Sequence, residues 1–287
     1  MRLVSYGDAG SERLGALVAD GTKILDLNRA DGALPSDMLG FLRGDFWAKA
    51  RDVIADTPKA APSALIERAG MRLGAPVPRP GLMVCVGLNY KDHADEQKVK
   101  YPEAPLLFSK APFAACGPED DIVYPEGVIK LDYEVELGVV IGRTAKKVPA
   151  EKAEEVIAGY CVFNDVSARC AQFGDKQWFR GKSFDTFAPF GPALVTTDES
   201  GAPQGWRLQC RVNGETRQDS NTDQMIHDVG RIIEHATRGM TLQPGDVVAT
   251  GTPAGVGVFR DPPGLLKRGD VVELEVEGLG QLKNRVV

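Results

Sequence analysis

Three acidic residues alternate along the segment LDYEVELGVVIG, residues 131–142. Strand alternation places Asp132, Glu134 and Glu136 on one face. A charged strand face is usually solvated, which is the ordinary interpretation of this segment alone. After Glu136 both faces become apolar, as in a strand buried on both sides. Carboxylates at the end of such a strand repel one another and need a cation, and all-oxygen ligands favour Mg²⁺, Mn²⁺ or Ca²⁺ over Zn²⁺.

A further acidic ligand is offered by Asp165, which follows the apolar strand GYCVF. Read alone, Asn164-Asp165 is equally well interpreted as an ordinary turn or helix cap. If the chain turns helical there, Arg169 and Gln172 lie on the same side. Because a guanidinium grips a carboxylate in a fork, this pairing suits an anionic substrate.

One of the three histidines lies in a polar segment, GLNYKDHADEQK, after a buried strand. His93 is followed at i+3 by Glu96, so a helix would bring the two within reach. A carboxylate on one imidazole nitrogen leaves the other free to take a proton from water. The alternative is that both are incidental loop residues. His227 and His235 lie off the apolar stripe of a helix and are predicted at the surface.

Two more segments carry candidate groups. Lys182 lies among aromatic residues, where partial burial would hold its ammonium against a substrate oxygen, although a surface lysine is the commoner case. In PGDVVATGTPAGVG a strand ends in a glycine-rich loop, whose amides and Thr250 hydroxyl are suited to bind an anion. Neither a P-loop nor a dinucleotide fingerprint is present, so no nucleotide cofactor is expected.

The composition is that of an ordinary globular protein, with 287 residues, 43% hydrophobic and 26% charged. The net charge of −6 gives no basic field for nucleic acid, which is not expected as a partner. No apolar run is long enough for a membrane helix, and Asp8 interrupts the start before a signal peptide could form. The five cysteines form no C-x-x-C pair, so we expect a reducing, cytoplasmic location and an unprocessed chain.

The spacing of turn residues predicts a mostly β protein with some α. Residues 1–75 form a small α+β domain, with an antiparallel sheet to about residue 28 and two short helices, DMLGFLR and FWAKARDVIAD. Residues 76–287 form a second, strand-rich domain after the turn-forming stretch GAPVPRPG. It contains one strong helix, at about 222–238 with Thr222 as its N-cap, and a weaker one, PAEKAEEVIAG, interpreted as a crossover between strands.

Six motifs follow one another along the chain: GLNYKDHADE, LDYEVELGVVIG, GYCVFNDVSARCAQ, RGKSFDTFAPFGP, VNGETRQ and TGTPAGVG. Together they resemble the fumarylacetoacetate hydrolase family over residues 80–287. The resemblance implies a mixed β-roll, a homodimer, and Mg²⁺ or Mn²⁺ bound by Glu134, Glu136 and Asp165. It also implies a water-activating pair on a lid, His93 and Glu96, with Lys182 at the reacting oxygen. The implied substrate and oxyanion contacts are Tyr90, Arg169, Gln172 and Thr250. Leu88 stands where some members have a further metal-binding aspartate.

The expected activity is hydrolysis of a carbon–carbon bond in a 2,4-dioxo acid, an acylpyruvate or a 2,4-diketo-3-deoxy sugar acid, to give a 2-oxo acid such as pyruvate and a second carboxylic acid. The C1 carboxylate and C2 oxo group suit chelation to a metal. The pair of His93 and Glu96 favours attack by water. The alternatives are a ureidoglycolate lyase, an oxaloacetate decarboxylase, a dehydratase, a hydroxymuconate-type isomerase, or a binding module with a structural cation and no activity.

Overall fold

Strands dominate the computed structural model, which describes residues 1–57 and 60–287. The strands of the N-terminal part are β1 (Arg2–Tyr6), β2 (Arg13–Val18), β3 (Lys23–Asp26) and β4 (Leu65–Glu67). Those that follow are β5 (Met83–Gly87), β6 (Leu106–Lys110), β7 (Ala115–Cys116), β8 (Leu131–Asp132), β9 (Val135–Ile141), β10 (Ile157–Asn164), β11 (Ser167–Ala168), β12 (Ala188–Thr196), β13 (Arg207–Val212), β14 (Glu215–Asn221), β15 (Val247–Ala249), β16 (Val271–Val276) and β17 (Gly280–Arg285). The predicted fold class, mostly β with some α, is confirmed.

The α-helices are short. They are α1 (Leu27–Ala30), α2 (Met38–Arg43), α3 (Trp47–Ala55), α4 (Lys91–Glu96), α5 (Arg169–Asp175), α6 (Trp178–Lys182), α7 (Thr197–Ser200) and α8 (Val229–Gly239). Single 3₁₀ segments occur at Pro62–Ala64, Pro112–Ala114, Ala150–Val156, Thr222–Gln224 and Gly257–Phe259. Within the described ranges, no helix is both long enough and apolar enough to cross a bilayer.

One eleven-stranded sheet runs through the molecule in the order β4-β3-β2-β1-β12-β10-β9-β15-β5-β6, with β7 paired to β12. A four-stranded sheet, β14-β13-β16-β17, packs against β9, β10 and β12, and β8 pairs with β11. Strands β9 and β10 are buried along their whole length, which explains their continuous apolar sequences. The division into domains at residues 75 and 76 stays a prediction, since β1 pairs directly with β12 and continues the same sheet.

Two helix predictions need correction. The helix expected from Thr222 begins at Val229 instead, because Asp228 caps it by accepting a hydrogen bond from the Arg231 amide. The Thr222 hydroxyl accepts from the Trp206 amide, 16 residues earlier in the chain, so it is not a cap. The segment Ala150–Val156 is 3₁₀ and joins β9 to β10, which are antiparallel, so it is no crossover.

One central strand, β12, was not predicted from the sequence. Strand β12 lies between β1 and β10 but contains Pro189 and Pro192, and prolines argue against a central strand because they cannot donate to the ladder. Its register with β10 shifts between Tyr160 and Val162, close to Pro192. The strand therefore accommodates the missing donor of Pro192 at an irregularity in the ladder.

The buried carboxylate of Asp26 links the N-terminal strands to helix α1 through hydrogen bonds. Asp26 ends β3, is fully buried, and accepts hydrogen bonds from the Tyr6 hydroxyl (2.5 Å), Arg13 Nε (2.7 Å) and the Arg29 amide (2.8 Å). Burial opposes its ionisation, but the bonds from Arg13, Tyr6 and Arg29 outweigh burial and lower the pKa of the Asp26 carboxyl.

We expect Asp26→Asn to lower the free energy of unfolding by about 2 kcal/mol, because it removes the charged partner of Arg13. Since the folded pKa of Asp26 is lowered, its contribution is present above pH about 4 and is lost as the pH falls through the folded value. Urea unfolding measured across this range should show a weaker acid dependence in the variant. Asp20→Asn, in an exposed turn, is the control; equal effects of the two substitutions would contradict the assignment.

Candidate active site

Strand directions bring four separate segments to one edge of the large sheet. Strand β15 is parallel to β5 and antiparallel to β9, and β9 is antiparallel to β10. The start of β9 therefore lies beside the ends of β5, β10 and β15. The segments that follow or precede these ends carry His93, Asp165, Thr250 and the pair Glu134 and Glu136.

Three carboxylates meet at this edge. Glu134, Glu136 and Asp165 each place an oxygen within 4.8 Å of the others, and all three are buried. The ammonium of Lys182 bridges two of them, with Nζ 2.6 Å from Glu134 Oε2 and 2.6 Å from Asp165 Oδ2. The residues predicted as a metal site and the predicted lysine are thus assembled in one cluster.

Charge compensation in the cluster is uneven. Burial opposes ionisation of Glu134, but Lys182 and Arg169 outweigh it and hold the pKa of this carboxyl well below its ordinary value. Burial raises the pKa of Glu136 well above its ordinary value, and repulsion from Asp165 and Glu134 adds to the effect.

Among the described residues, Glu136 has one hydrogen bond, from the amide of Gly251 (2.8 Å). Gly251 has φ +102°, and a Cβ there would lie 2.7 Å from Asn89, so this approach needs glycine. An uncompensated buried carboxylate beside two others is the donor set that a hard divalent cation fits, so the residues present suit Mg²⁺ or Mn²⁺.

A second buried lysine was missed in the sequence. Lys110, at the end of β6, is 1% exposed and places Nζ 2.5 Å from Asp165 Oδ1 and 3.0 Å from the Val166 carbonyl. Burial lowers its pKa, and the charge of Lys182 adds to this against the pull of Asp165. Nothing in the strand LLFSK distinguishes this residue from a surface lysine, because the carboxylate that pairs with it comes from 55 residues away.

Asp132 lies outside the carboxylate cluster, which corrects the single face predicted for residues 132, 134 and 136. The chain leaves the strand at residues 133 and 134, between β8 and β9. Asp132 instead accepts from the Gly257 and Val258 amides, at 2.7 and 3.0 Å, and from Arg169 Nε at 2.9 Å. It therefore anchors the arginine and the 257–258 turn.

Each of the three guanidinium nitrogens of Arg169 donates to a side chain of the protein. Besides Asp132 it donates from Nη2 to Glu134 Oε1 at 2.6 Å and from Nη1 to Gln172 Oε1 at 2.9 Å. Residues 169 and 172 lie on one side of α5, as predicted. The guanidinium thus orients Glu134 and Gln172, and its role as a substrate contact stays a prediction.

His93 and Glu96 form the predicted pair on helix α4. His93 Nδ1 lies 3.0 Å from Glu96 Oε2, and the second imidazole nitrogen, Nε2, lies 2.9 Å from the Gln97 side-chain amide. Sequence reasoning missed Gln97, although it follows Glu96 directly.

Helix α4 is docked on the glycine-rich loop. Glu96 Oε1 accepts from the Gly255 amide at 3.1 Å, and Asp92 accepts from the Ser220 hydroxyl at 2.6 Å. The loop amides of Gly251 and Gly255 are therefore bound to carboxylates of the protein itself. This contact holds the imidazole over the cavity.

A cavity of about 210 Å³ separates the imidazole from the carboxylate cluster. Its lining includes His93, Gln172 and Lys182, together with Leu88 and Thr252, which were not expected to contact substrate. Tyr90 and Thr250 are fully buried behind this lining, and the Thr250 hydroxyl donates to the Leu137 carbonyl at 3.0 Å. Their predicted role as substrate contacts is thus not supported by direct access to the cavity and stays a prediction.

Residues 82–287 match the family model described as fumarylacetoacetate (FAA) hydrolase C-terminal. The chain belongs to the fumarylacetoacetate hydrolase family. The predicted resemblance is therefore confirmed.

Relatives cover the whole chain. Mitochondrial oxaloacetate tautomerase FAHD2A of Bos taurus is 44% identical over 291 residues, covering 100% of this chain and 92% of its own. The structure of fumarylacetoacetate hydrolase from Exiguobacterium antarcticum superimposes with a TM-score of 0.85 at 37% identity, covering 100% and 99% of the two chains. Maleylpyruvate hydrolase from Sphingobium sp. SYK-6, solved with manganese(II) and pyruvate, gives a TM-score of 0.82 at 30% identity with the same coverage.

These relatives correct one prediction and leave two others open. The predicted cytoplasmic location is wrong, because the bovine tautomerase is named as mitochondrial. The five cysteines are free thiols, which does not distinguish one compartment from another. The predicted homodimer stays a prediction, as does the oxo acid partner.

We expect Glu136→Gln to weaken binding of Mn²⁺ at least about 100-fold, because it removes a charged ligand. The same change should raise the melting temperature of the metal-free protein by about 2 to 4 °C, because it relieves the repulsion among buried carboxylates. Calorimetric titration and thermal melting in chelator measure the two effects.

The control is Glu126→Gln, an exposed glutamate outside the cluster, which should change neither quantity. Unchanged Mn²⁺ affinity in Glu136→Gln, or a metal-free variant that melts below the wild type, would contradict the assigned site.

Proposed function

We propose that this protein is a divalent-metal-dependent tautomerase that interconverts the keto and enol forms of a small 2-oxo dicarboxylic acid such as oxaloacetate. The observation that carries the proposal is the position of a single histidine, His93, opposite the carboxylate cluster across a cavity of about 210 Å³. Such a cavity suits a four-carbon acid rather than a long one. The full-length similarity to a protein named as oxaloacetate tautomerase supports the same substrate class.

The chain supplies the proton-transfer groups. A divalent ion held by Glu134, Glu136 and Asp165 would supply Lewis-acid polarisation of the C2 carbonyl. His93 takes a proton from C3 through Nε2, and the electron pair of the C3–H bond moves towards the C2 oxygen. Glu96, on Nδ1, stabilises the imidazolium that forms. His93 then returns the proton to the C2 oxygen, which completes the enol.

Lys182 stabilises the negative charge that develops during this transfer. Its ammonium lines the cavity, and burial is outweighed by Asp165 and Glu134, which raise its pKa and keep it charged. The apolar wall formed by Phe108 and Trp178 limits water around this charge. The lysine therefore acts as a fixed cation beside the reacting oxygen.

A second candidate is the hydrolysis of a 2,4-dioxo acid. The His93 and Glu96 pair suits activation of water, and the similar maleylpyruvate hydrolase was solved with pyruvate. Water attack requires access to His93 Nε2, the atom that the Gln97 side chain contacts in this structure. Proton abstraction from C3 uses the same atom, so the contact does not distinguish the two reactions. The full-length similarity to a protein named as oxaloacetate tautomerase favours the first candidate. A binding module without activity would need no imidazole opposite the acidic cluster.

We expect His93→Asn to lower kcat for the tautomerisation of oxaloacetate by about 100-fold or more, because a general acid–base group is lost. The rate is measured from the ultraviolet absorbance of the enol, in the presence of Mn²⁺ or Mg²⁺. His235→Asn, on α8 away from the cavity, is the matched control and should retain the wild-type rate.

The same samples distinguish the candidates when acylpyruvates are offered and pyruvate release is measured. Tautomerisation without pyruvate release supports the proposal. Release of pyruvate by the wild type, with no acceleration of tautomerisation, would replace it with the hydrolase.

A further inference from the structure

The cavity is apolar at its mouth. The lining residues that stay exposed, by 40% to 52%, are Val99, Leu106, Phe173 and Phe259, and all four are apolar. They come from four separate segments, which are the chain after α4, the start of β6, helix α5 and the 3₁₀ segment Gly257–Phe259. Large apolar side chains gathered around one opening indicate a surface that binds an apolar group.

The charged lining residues lie at the bottom of the same cavity. They are at most 5% exposed and comprise Glu134, Glu136, Asp165, Arg169 and Lys182. The two cations among them already donate hydrogen bonds to carboxylates of the protein. Lys98 and Lys100, beside Val99 in the sequence, are exposed and lie outside the lining. Among the described lining residues, no cation is therefore placed at the mouth to pair with a second carboxylate of a substrate.

Aromatic rings lie close to the proposed reacting groups. Phe108 and Trp178 pack edge to face with their ring centroids 5.2 Å apart, and Lys182 Nζ lies 5.2 Å from the centroid of Phe108. A further ring, that of Phe259, lies 5.9 Å from the imidazole of His93. A substrate ring held between the buried charges and the mouth would contact these side chains, and aromatic pairs of this kind are favourable beyond the area that they bury.

We propose that the site also tautomerises arylpyruvates, which are 2-oxo acids that carry an aromatic ring on C3. This inference rests on the proposed function and extends it to a second class of substrate. The carboxylate and oxo oxygens of a 2-oxo acid face the charged bottom of the cavity, so the group on C3 points towards the apolar mouth. Because the mouth residues are open to solvent, the ring extends beyond the 210 Å³ that suits a four-carbon acid.

The reaction uses the groups already proposed for oxaloacetate. The C3–H bond breaks, its electron pair forms the C2–C3 double bond, and the proton passes to His93 and then to the C2 oxygen. No other reactant is consumed. The two substrates differ in what they place at the mouth. Oxaloacetate leaves its second carboxylate in water there, whereas an arylpyruvate buries its ring against apolar side chains.

The first test compares the two substrates in Phe173→Ser. We expect this change to lower kcat/KM for phenylpyruvate at least about fivefold and that for oxaloacetate less than about twofold, because only the aryl ring loses a contact. Both rates are measured from the absorbance of the enol with Mg²⁺, after subtraction of the rate without protein. Ile129→Ser, 74% exposed and outside the lining, is the control and should change neither rate. Equal effects of Phe173→Ser on the two substrates would overturn the proposal.

Leu106→Arg tests the missing cation at the mouth. An arginine there gives the second carboxylate of oxaloacetate a partner and removes an apolar contact from the ring of phenylpyruvate. KM for oxaloacetate should therefore fall at least about threefold while KM for phenylpyruvate rises. A change of both KM values in the same direction would overturn the proposal.

A third readout does not depend on turnover. Oxamate and its N-phenyl derivative oxanilate differ only in the ring and have no C3–H bond to break. With Mg²⁺ present, calorimetry should show that oxanilate binds the wild type at least about tenfold more tightly than oxamate, because the ring is buried at the mouth. Phe173→Ser should reduce this ratio at least about threefold, and Ile129→Ser should leave it unchanged. Equal affinities of the two compounds for the wild type would overturn the proposal.

The possible failures are distinguishable. If the wild type accelerates oxaloacetate but not phenylpyruvate, only this inference falls. If it accelerates neither, the proposed function falls and the arylpyruvate activity falls with it, whatever the affinity for oxanilate. If Phe173→Ser changes the subunit number in light scattering and leaves the binding ratio unchanged, the apolar residues belong to an interface between copies of the chain, and the proposal is overturned.

Discussion

The site depends on the repulsion among carboxylates that the fold buries together. Among the described residues, Asp132, Glu134, Glu136 and Asp165 face three buried cations, Lys110, Lys182 and Arg169. These residues leave one negative charge in excess. Within the part of the chain that the structure describes, the one hydrogen bond to Glu136 comes from the Gly251 amide, which assigns the excess to this carboxylate. A bound divalent cation would turn this excess into a net charge of +1, which suits an anionic substrate. The cost of burying the cluster is therefore tied to the binding of the ion that the proposed chemistry needs.

The directions of the strands explain why the carboxylates and His93 lie at one edge of the large sheet. Because β9 begins where β5, β10 and β15 end, the chain delivers acidic residues, helix α4 and a glycine-rich loop to one edge. Helix α4 is then held by the same loop, through Glu96 on the Gly255 amide, while Gly251 holds Glu136. A single loop thus sets the position of the proposed base and of a proposed metal ligand. Its glycines allow the close approach that both contacts require.

The sequence could reveal residue types but not their partners. Alternation and apolar runs were enough to find β9, β10 and the candidate ligands Glu134, Glu136 and Asp165. They could not separate Asp132 from its neighbours, because the break between β8 and β9 has no local signal. Lys110 was missed since its partner lies far along the chain, and Gln97 because glutamine is ordinary on a helix surface. Strand β12 was not predicted because prolines lack the amide hydrogen that a central strand donates to its neighbours. Its place between β1 and β10 is visible only in the folded sheet.

The most direct test of the central claim is anomalous diffraction at the manganese edge from crystals grown with Mn²⁺. We expect one strong peak at about 2.1 to 2.3 Å from oxygens of Glu134, Glu136 and Asp165, facing His93 across the cavity. Full occupancy at this position would show that the carboxylates are held together for a cation. A peak elsewhere, or no peak with the three side chains paired only to lysine and arginine, would contradict the account.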